Sequence, residues 1–451
     1  MRAPLATGCA LLAACSAPPA VPGPELGAWL PPAASGAVEV APRDAPEGAR
    51  VIDLHEVLTL AADHGLLPQL SREAAAEARA EEDVARAAWL PRLGLGTSFF
   101  QHRGQLQNTE GLFLDVDKQH TFLGADLTLE VDLGEAIFAP RAARERSAAA
   151  RHAVRAADRD TLAAAAFRYF DLVEAHARLQ IAEKAVQHAG ELVAHVEARV
   201  RGGTGLDADL ALAQARLAAA RRGRIQAEGE TRIASASLAE LLQLDASTRL
   251  VPAGERPATL ELVAPRSIDE LLETARSNRP ELAAAAAELR AREEEERAAG
   301  RDWWLPELQL SATGGALGPN YGALKDEEIF TAGVRWELGA HLLGERERAR
   351  ARRRAAELER TRLARHVATE VVQAQALLES AAERTVAARE ELQSATEAQA
   401  LARARHEAGA GLLIEVLEAE VELVRARVAL AAARVEADRT QYALLRAIGG
   451  K

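Results

Sequence analysis

Carboxylates gathered just past a break in a helix are the groups in this chain best placed to act on a passing solute. The stretch GAGLLIEVLEAE, residues 409–420, sets Gly409 and Gly411 in a sequence that otherwise reads as helix on both sides. Glu415, Glu418 and Glu420 follow the break. Glu415 and Glu418 are three residues apart, so on a helix both carboxylates project from one face. Rings of such groups at a constriction favour cations and repel anions. The alternative is a solvated acidic first turn, which the helix macrodipole also favours. A sibling stretch, GTGLDADLALAQ, stands at 203–214, with Gly203, Gly205 and, in the place of Glu415, Asp209. No nucleophile with a base, phosphate loop or pair of catalytic carboxylates stands in a suitable setting, so an enzyme is not expected. His188 and His195 lie seven apart on one helical stretch without partner ligands. Neither a metal nor a cofactor is expected from them.

The elements that must position these acids are long helices. The 451 residues are 48% hydrophobic and 27% charged, with only 4% aromatic. That palette excludes wholesale disorder and suits extended helix. A net charge of −12 gives no nucleic-acid footprint. The chain also repeats itself. Trp89-Leu90-Pro91 matches Trp304-Leu305-Pro306, and Asp132-Leu133-Gly134 matches Glu337-Leu338-Gly339. Ala198-Arg199 matches Ala404-Arg405, and the two Gly-x-Gly-Leu turns match in turn.

Each copy is read as a helix of about 34 residues (54–88 and 267–300), two strands, a helix of nearly 70 residues, the Gly-x-Gly break, and a last helix of nearly 40 (206–243 and 412–448). The first repeat covers 51–245 with strands at about 90–133, and the second 267–448 with strands at about 305–338. Residues 246–266, which hold Pro and Gly, form the connection at the waist. A 70-residue helix spans roughly 105 Å, and two of the shorter helices placed end to end match it. The expected fold is mainly α with a small β part.

The strands alternate. Leu123, Ala125, Leu127, Leu129 and Val131 oppose Gly124, Asp126, Thr128 and Glu130, and Phe330, Ala332 and Val334 oppose Thr331, Gly333 and Arg335. A period of two gives one apolar and one polar face. Two readings stay open: a sheet packed on helices, or a barrel wall with lipid on one side and water on the other. Four strands cannot close a barrel, so the second reading requires several copies to share one. Trp89, Trp303, Trp304 and Trp336 fall near the strand ends, where interface belts and packing at the sheet–helix junction are equally good readings.

The N-terminus, MRAPLATGCALLAACS, has the layout of a signal peptide. Leu12-Ala13-Ala14-Cys15 resembles a lipobox, which would make 1–15 a lipoprotein-type signal and Cys15 the lipidated residue. Residues 16–50, rich in Pro, Ala and Gly, read as a linker. No later window holds 18 uncharged apolar residues, the length of a transmembrane helix. The alternating-charge run at 345–354 reads as a solvated helix face.

Taken together, the tandem repeat, the strand hairpin in each half, the Leu-Pro before each first strand and the Gly-rich turn followed by an acid identify the chain as resembling the TolC-like outer-membrane efflux proteins, in their lipid-anchored branch. The resemblance covers nearly all of 51–448. It implies a homotrimer whose twelve strands form one outer-membrane β-barrel above a periplasmic α-helical barrel. It further implies an exit duct for a tripartite efflux pump or a type I secretion system, docked on a periplasmic adaptor and an inner-membrane pump. Within it, the turns at Gly203, Gly205, Gly409 and Gly411 are the periplasmic tips, and Asp209, Glu415 and Glu418 are the gate acids. Gly411 stands where some members place an arginine that locks the closed tip. A periplasmic adaptor, or a coiled-coil scaffold of a transport complex, is the alternative function.

Overall fold

The computed structural model describes residues 26–27, 29–30, 49–253, 262–301 and 304–450. Cys15 and Trp303 lie outside the described residues, as do residues 254–261 of the waist.

The chain enters through a short strand β1 (Arg50–Ile52), followed by α1 (Leu54–His64) and α2 (Leu66–Arg86). Asp53 caps α1 by accepting from Glu56 N at 2.7 Å. The single helix expected over 54–88 is therefore two. Pro68 has no N–H to donate one turn back and its ring crowds that turn, so the helix restarts at Leu66 with proline in its first turn. The same correction applies to 267–300, which is α5 (Ile268–Asn278) and α6 (Pro280–Ala299). Arg279 is extended (ψ 115°), as the residue before a proline prefers.

A 3₁₀ turn (Ala87–Trp89) leads from α2 into β2 (Arg92–Gln107) and β3 (Phe113–Asp132). The 69-residue α3 (Leu133–Arg201) descends from β3 with Pro140 inside it. That proline leaves the carbonyl of Ala136 without its usual i+4 donor. The indole Nε1–H of Trp89 supplies one, at 3.0 Å. Trp89 thus ties the top of α3 to the start of β2, which gives the first Trp-Leu-Pro a structural task.

After a tip turn, α4 (Asp207–Leu241) climbs back to β4 (Leu250–Pro252), which pairs in parallel with β1. Neither short strand was expected from the sequence; β1 begins at the last residue of the supposed linker. The second copy follows with α5, α6, β5 (Glu307–Gly318), β6 (Lys325–Arg335), the 67-residue α7 (His341–Glu407), and α8 (Leu413–Ala447). Here the strand stops at Arg335, so Trp336-Glu337-Leu338 lies beyond it rather than in it.

The largest buried cluster sits at the waist, where α1, α3, α4, α8 and the two short strands converge. Trp29, Tyr442, Phe170 and Leu162 are all within it. The hydroxyl of Tyr442 donates to the carbonyl of Trp29 at 2.7 Å, pinning an N-terminal segment against the end of α8.

The main sheet runs β2-β3-β5-β6, antiparallel throughout. It extends past the helices. Leu95 is 79% exposed and Phe330 74%, so no helix covers the apolar face. On the other face Arg335 pairs with Glu307 at 2.6 Å, and Gln309 donates to Glu130 at 3.4 Å. The reading of a sheet packed on helices does not hold.

Candidate gate at the helical tips

The two tip turns have one backbone. At the first, Gly203 N donates to Val200 O at 3.0 Å and Thr204 N to Arg199 O at 2.9 Å. At the second, Gly409 N donates to His406 O at 3.0 Å and Ala410 N to Arg405 O at 2.9 Å. This nested pair of bonds is the Schellman motif, and it needs a left-handed residue past the helix end. Gly203 and Gly409 both supply it, at φ +75°. The second glycine of each turn has a different reason. A Cβ on Gly205 would stand 2.9 Å from Val200 N, and one on Gly411 3.1 Å from His406 N. The repeat seen in the letters is therefore a repeat in backbone geometry.

The acids lie just beyond. Neither Leu206 nor Leu412, the N-cap residues of α4 and α8, caps with its side chain. Asp207 and Asp209 occupy the first turn of α4, and Glu415 that of α8, where they complement the helix dipole. Glu415 is half-buried with its carboxylate 3.6 Å from Arg405 Nη1. Glu418, one turn on, is exposed. Glu420 is buried and accepts from Arg403 at 2.9 Å. The absence of arginine at Gly411 is thus met from another helix: the guanidinium beside Glu415 comes from the end of α7.

Above the tips, Leu192, Val196, Ala213, Leu413 and Leu417 form a small apolar cluster joining the α3–α4 hairpin to the α7–α8 hairpin. One polar tie accompanies it. Arg199 Nη1 donates to His406 Nε2 at 3.1 Å, and His406 Nδ1 lies 3.2 Å from Gly411 O. An imidazole that accepts at Nε2 carries its proton on Nδ1, so the ring bridges its own turn to the other hairpin. The hairpins are joined again near the waist, where Arg439 pairs with Asp171 and Arg446 with Asp160. Between the two sets of ties lies a cavity of about 140 Å³, lined in part by His188, Arg216, Arg403, Glu420 and Arg427. The hairpins are firmly joined at the waist, weakly at the tip, and hollow between.

Of the tip residues read from sequence, Gly203, Gly205, Gly409, Gly411, Asp209, Glu415 and Glu418 all lie at one end of the molecule. Missed were Arg199, His406, Arg403 and Arg405. A signal existed for two of them: Arg199 and Arg405 occupy equivalent places in the repeat, and His406 replaces the Val200 of the first copy.

The fold and this end define a class: two helical hairpins, hung from a four-stranded sheet with both edges open among the described residues. Two stretches, residues 67–243 and 271–450, match the family model for outer membrane efflux proteins, and the chain belongs to that family. Among solved structures it is similar to the CmeC outer membrane channel of Campylobacter jejuni, with a TM-score of 0.79 at 17% identity over 88% of this chain and 85% of that one. It is also similar to VceC of Vibrio cholerae, with a TM-score of 0.75 at 20% identity over 88% and 96%. A curated relative, the protein CyaE of Bordetella pertussis, is 29% identical over 212 residues, which is 47% of this chain and 44% of that protein. The chain thus matches less than half the length of that relative.

Proposed function

We propose that the protein is one subunit of a trimeric outer-membrane exit duct, passive and gated at its helical tips, serving an efflux pump or a type I secretion system. The observation that carries this reading is the sheet. Strands of 11 to 20 residues match or exceed the nine to eleven or so that cross a bilayer in a barrel. Among the described residues their apolar face is bare, and both edges, β2 and β6, are unpaired. Open edges in lipid leave hydrogen bonds unmade, which only closure with further copies relieves. Three copies give twelve strands, within the range of membrane barrels. Below the sheet, α3 alone spans roughly 100 Å, a tunnel length that suits the periplasm.

The tips supply the gate. Glu415 and Glu418 from three copies form acidic rings, and the weakly joined hairpins are the parts that move. MtrE of Neisseria gonorrhoeae, similar in fold with a TM-score of 0.72 at 19% identity, is described in an open state. A periplasmic adaptor would dock on the tip turns and link the duct to an inner-membrane pump. Cys15 would carry the lipid that helps to hold the duct in the outer membrane. Planar-bilayer recording of membrane-extracted protein tests the reading: discrete, cation-preferring pores support it, and a protein that forms no pore contradicts it.

A further inference from the structure

The two lateral edges of the chain carry opposite charge. In the upper half the helices lie side by side in the order α2, α3, α6, α7, the same order as the strands above them. So α2 and α7 are the outer helices, each with a face that no element among the described residues covers. On α2 that face is a stripe with heptad spacing: Leu66, Leu70, Glu73, Glu77, Ala80, Val84. Leu70 is 68% and Val84 74% exposed. Glu81 flanks the stripe, and among the described residues Glu73, Glu77 and Glu81 have no ion-pair partner within the chain. Across α7, residues 345–365 hold nine arginines and only four glutamates. Several of these pair locally, Arg348 with Glu345, Arg350 with Glu347 and Arg353 with Glu296. Arg354 and Arg365, on the uncovered face beside Leu358 (71% exposed), have no such partner among the described residues.

The heights agree. Arg72 of α2 reaches Asp158 of α3 at 3.0 Å. Arg159 donates to Asn278 O at 2.7 Å, and Arg279 next to it pairs with Glu370 of α7. Residue 72 is therefore level with residue 370. Nearer the sheet, Arg146 pairs with Glu295 and Arg353 with Glu296 at 2.8 Å, while Trp89 meets Ala136. These contacts place the stretch from Glu73 to Glu81 of α2 within the height range that residues 353–370 span on α7. A rotation about the tunnel axis leaves height unchanged. In a closed ring, then, the acidic stretch Glu73–Glu81 of one copy arrives opposite the arginine stretch Arg354–Arg365 of the next. Leucine and valine lie between and beside these charges on both helices.

We infer that α2 and α7 of neighbouring copies form an ionic seam with an apolar centre, and that this seam sets the self-recognition and vertical register of the assembly below the membrane. It rests on the duct reading and deepens it, because barrel closure alone leaves a sheet free to pair with any similar edge. The occupant of each edge is a second copy of this chain: the complement of its acidic stripe is its own arginine stripe, at the matching height.

Charge reversal tests it. Glu73→Lys with Glu81→Lys makes one edge basic, and Arg354→Glu with Arg365→Glu makes the other acidic. Each double variant alone brings like charges together and is expected to lower the fraction of trimer extracted in mild detergent by about tenfold at low salt, less so at high salt. The two sets combined in one chain restore opposite charges, and the trimer returns. Trimer fractions unchanged in the single-edge variants would overturn the seam, as would a combined variant no better than either alone. Helix content by circular dichroism separates a lost seam from a lost fold. Wild-type protein that is monomeric in the same extract overturns the duct reading itself, whereas a robust wild-type trimer indifferent to the reversals removes the seam and leaves the duct.

Discussion

Replacing Arg199 with alanine should open the duct. Arg199 donates to His406 at 3.1 Å, a polar tie between the hairpins near the tip. A hydrogen bond from a charged donor contributes about 1.5–3 kcal/mol, and partial exposure of both groups favours the lower figure, about 1.5 kcal/mol. Three copies moving together would lose about 4.5 kcal/mol of closed-state preference, a little over three orders of magnitude in the open–closed equilibrium. The apolar cluster of Leu192, Val196, Leu413 and Leu417 remains, so the hairpins stay folded. The assay is single-channel recording: the variant should show a large rise in open time at unchanged unitary conductance. His406→Ala should do the same, and the double variant should add little to either single, since both remove one interaction. Traces of Arg199→Ala that match wild type, or additive effects in the double variant, would refute the reasoning.

Three further outcomes follow from the same geometry. Glu415→Gln with Glu418→Gln should weaken cation preference and block by multivalent cations; unchanged reversal potentials would place these acids outside the constriction. Gly409→Ala forces a side chain into φ +75° and should cost roughly 1–2 kcal/mol, whereas Gly411→Ala meets backbone and should disturb the His406 contact as well; thermal melts and open time separate the two. Acidification should destabilise the helical body through His176 and His152. His176 is held below the ordinary histidine value by burial, opposed by Glu183. His152 is held below it by burial, then by Arg155, Arg151 and Arg290. The unfolded chain binds these protons from about pH 6.5 downward, before the folded chain does, so stability is intact above that pH and falls as pH drops below it. Melting curves between pH 7.5 and 5.5 should show the loss, and His176→Gln should reduce it.

How far the sequence reached depends on range. The tandem repeat, the alternating strands and the Gly-x-Gly turns are local patterns, and they became the sheet, the long helices and two identical Schellman turns. The kinks were local too, yet the helical periodicity over 54–88 masked Pro68, and that over 267–300 masked Pro280. The waist strands β1 and β4 are three residues each, too short for any period to show. What joins the hairpins is not local at all. Arg199 and His406 are 207 residues apart, and Arg405 reaches Glu415 only because the chain turns between them. The empty arginine position at Gly411 pointed to a missing latch, while the structure draws its guanidiniums from α3 and α7. The uncovered edges of α2 and α7 were invisible in sequence, because charge runs look solvated until the elements beside them are known.

The central claim is that this four-stranded sheet is a third of a wall. The most direct measurement is the subunit count of protein extracted from the outer membrane in mild detergent, by native mass spectrometry or by cross-linking read on a gel. The account predicts three copies, dissociating only on denaturation. A monomer or a dimer under those conditions would contradict it.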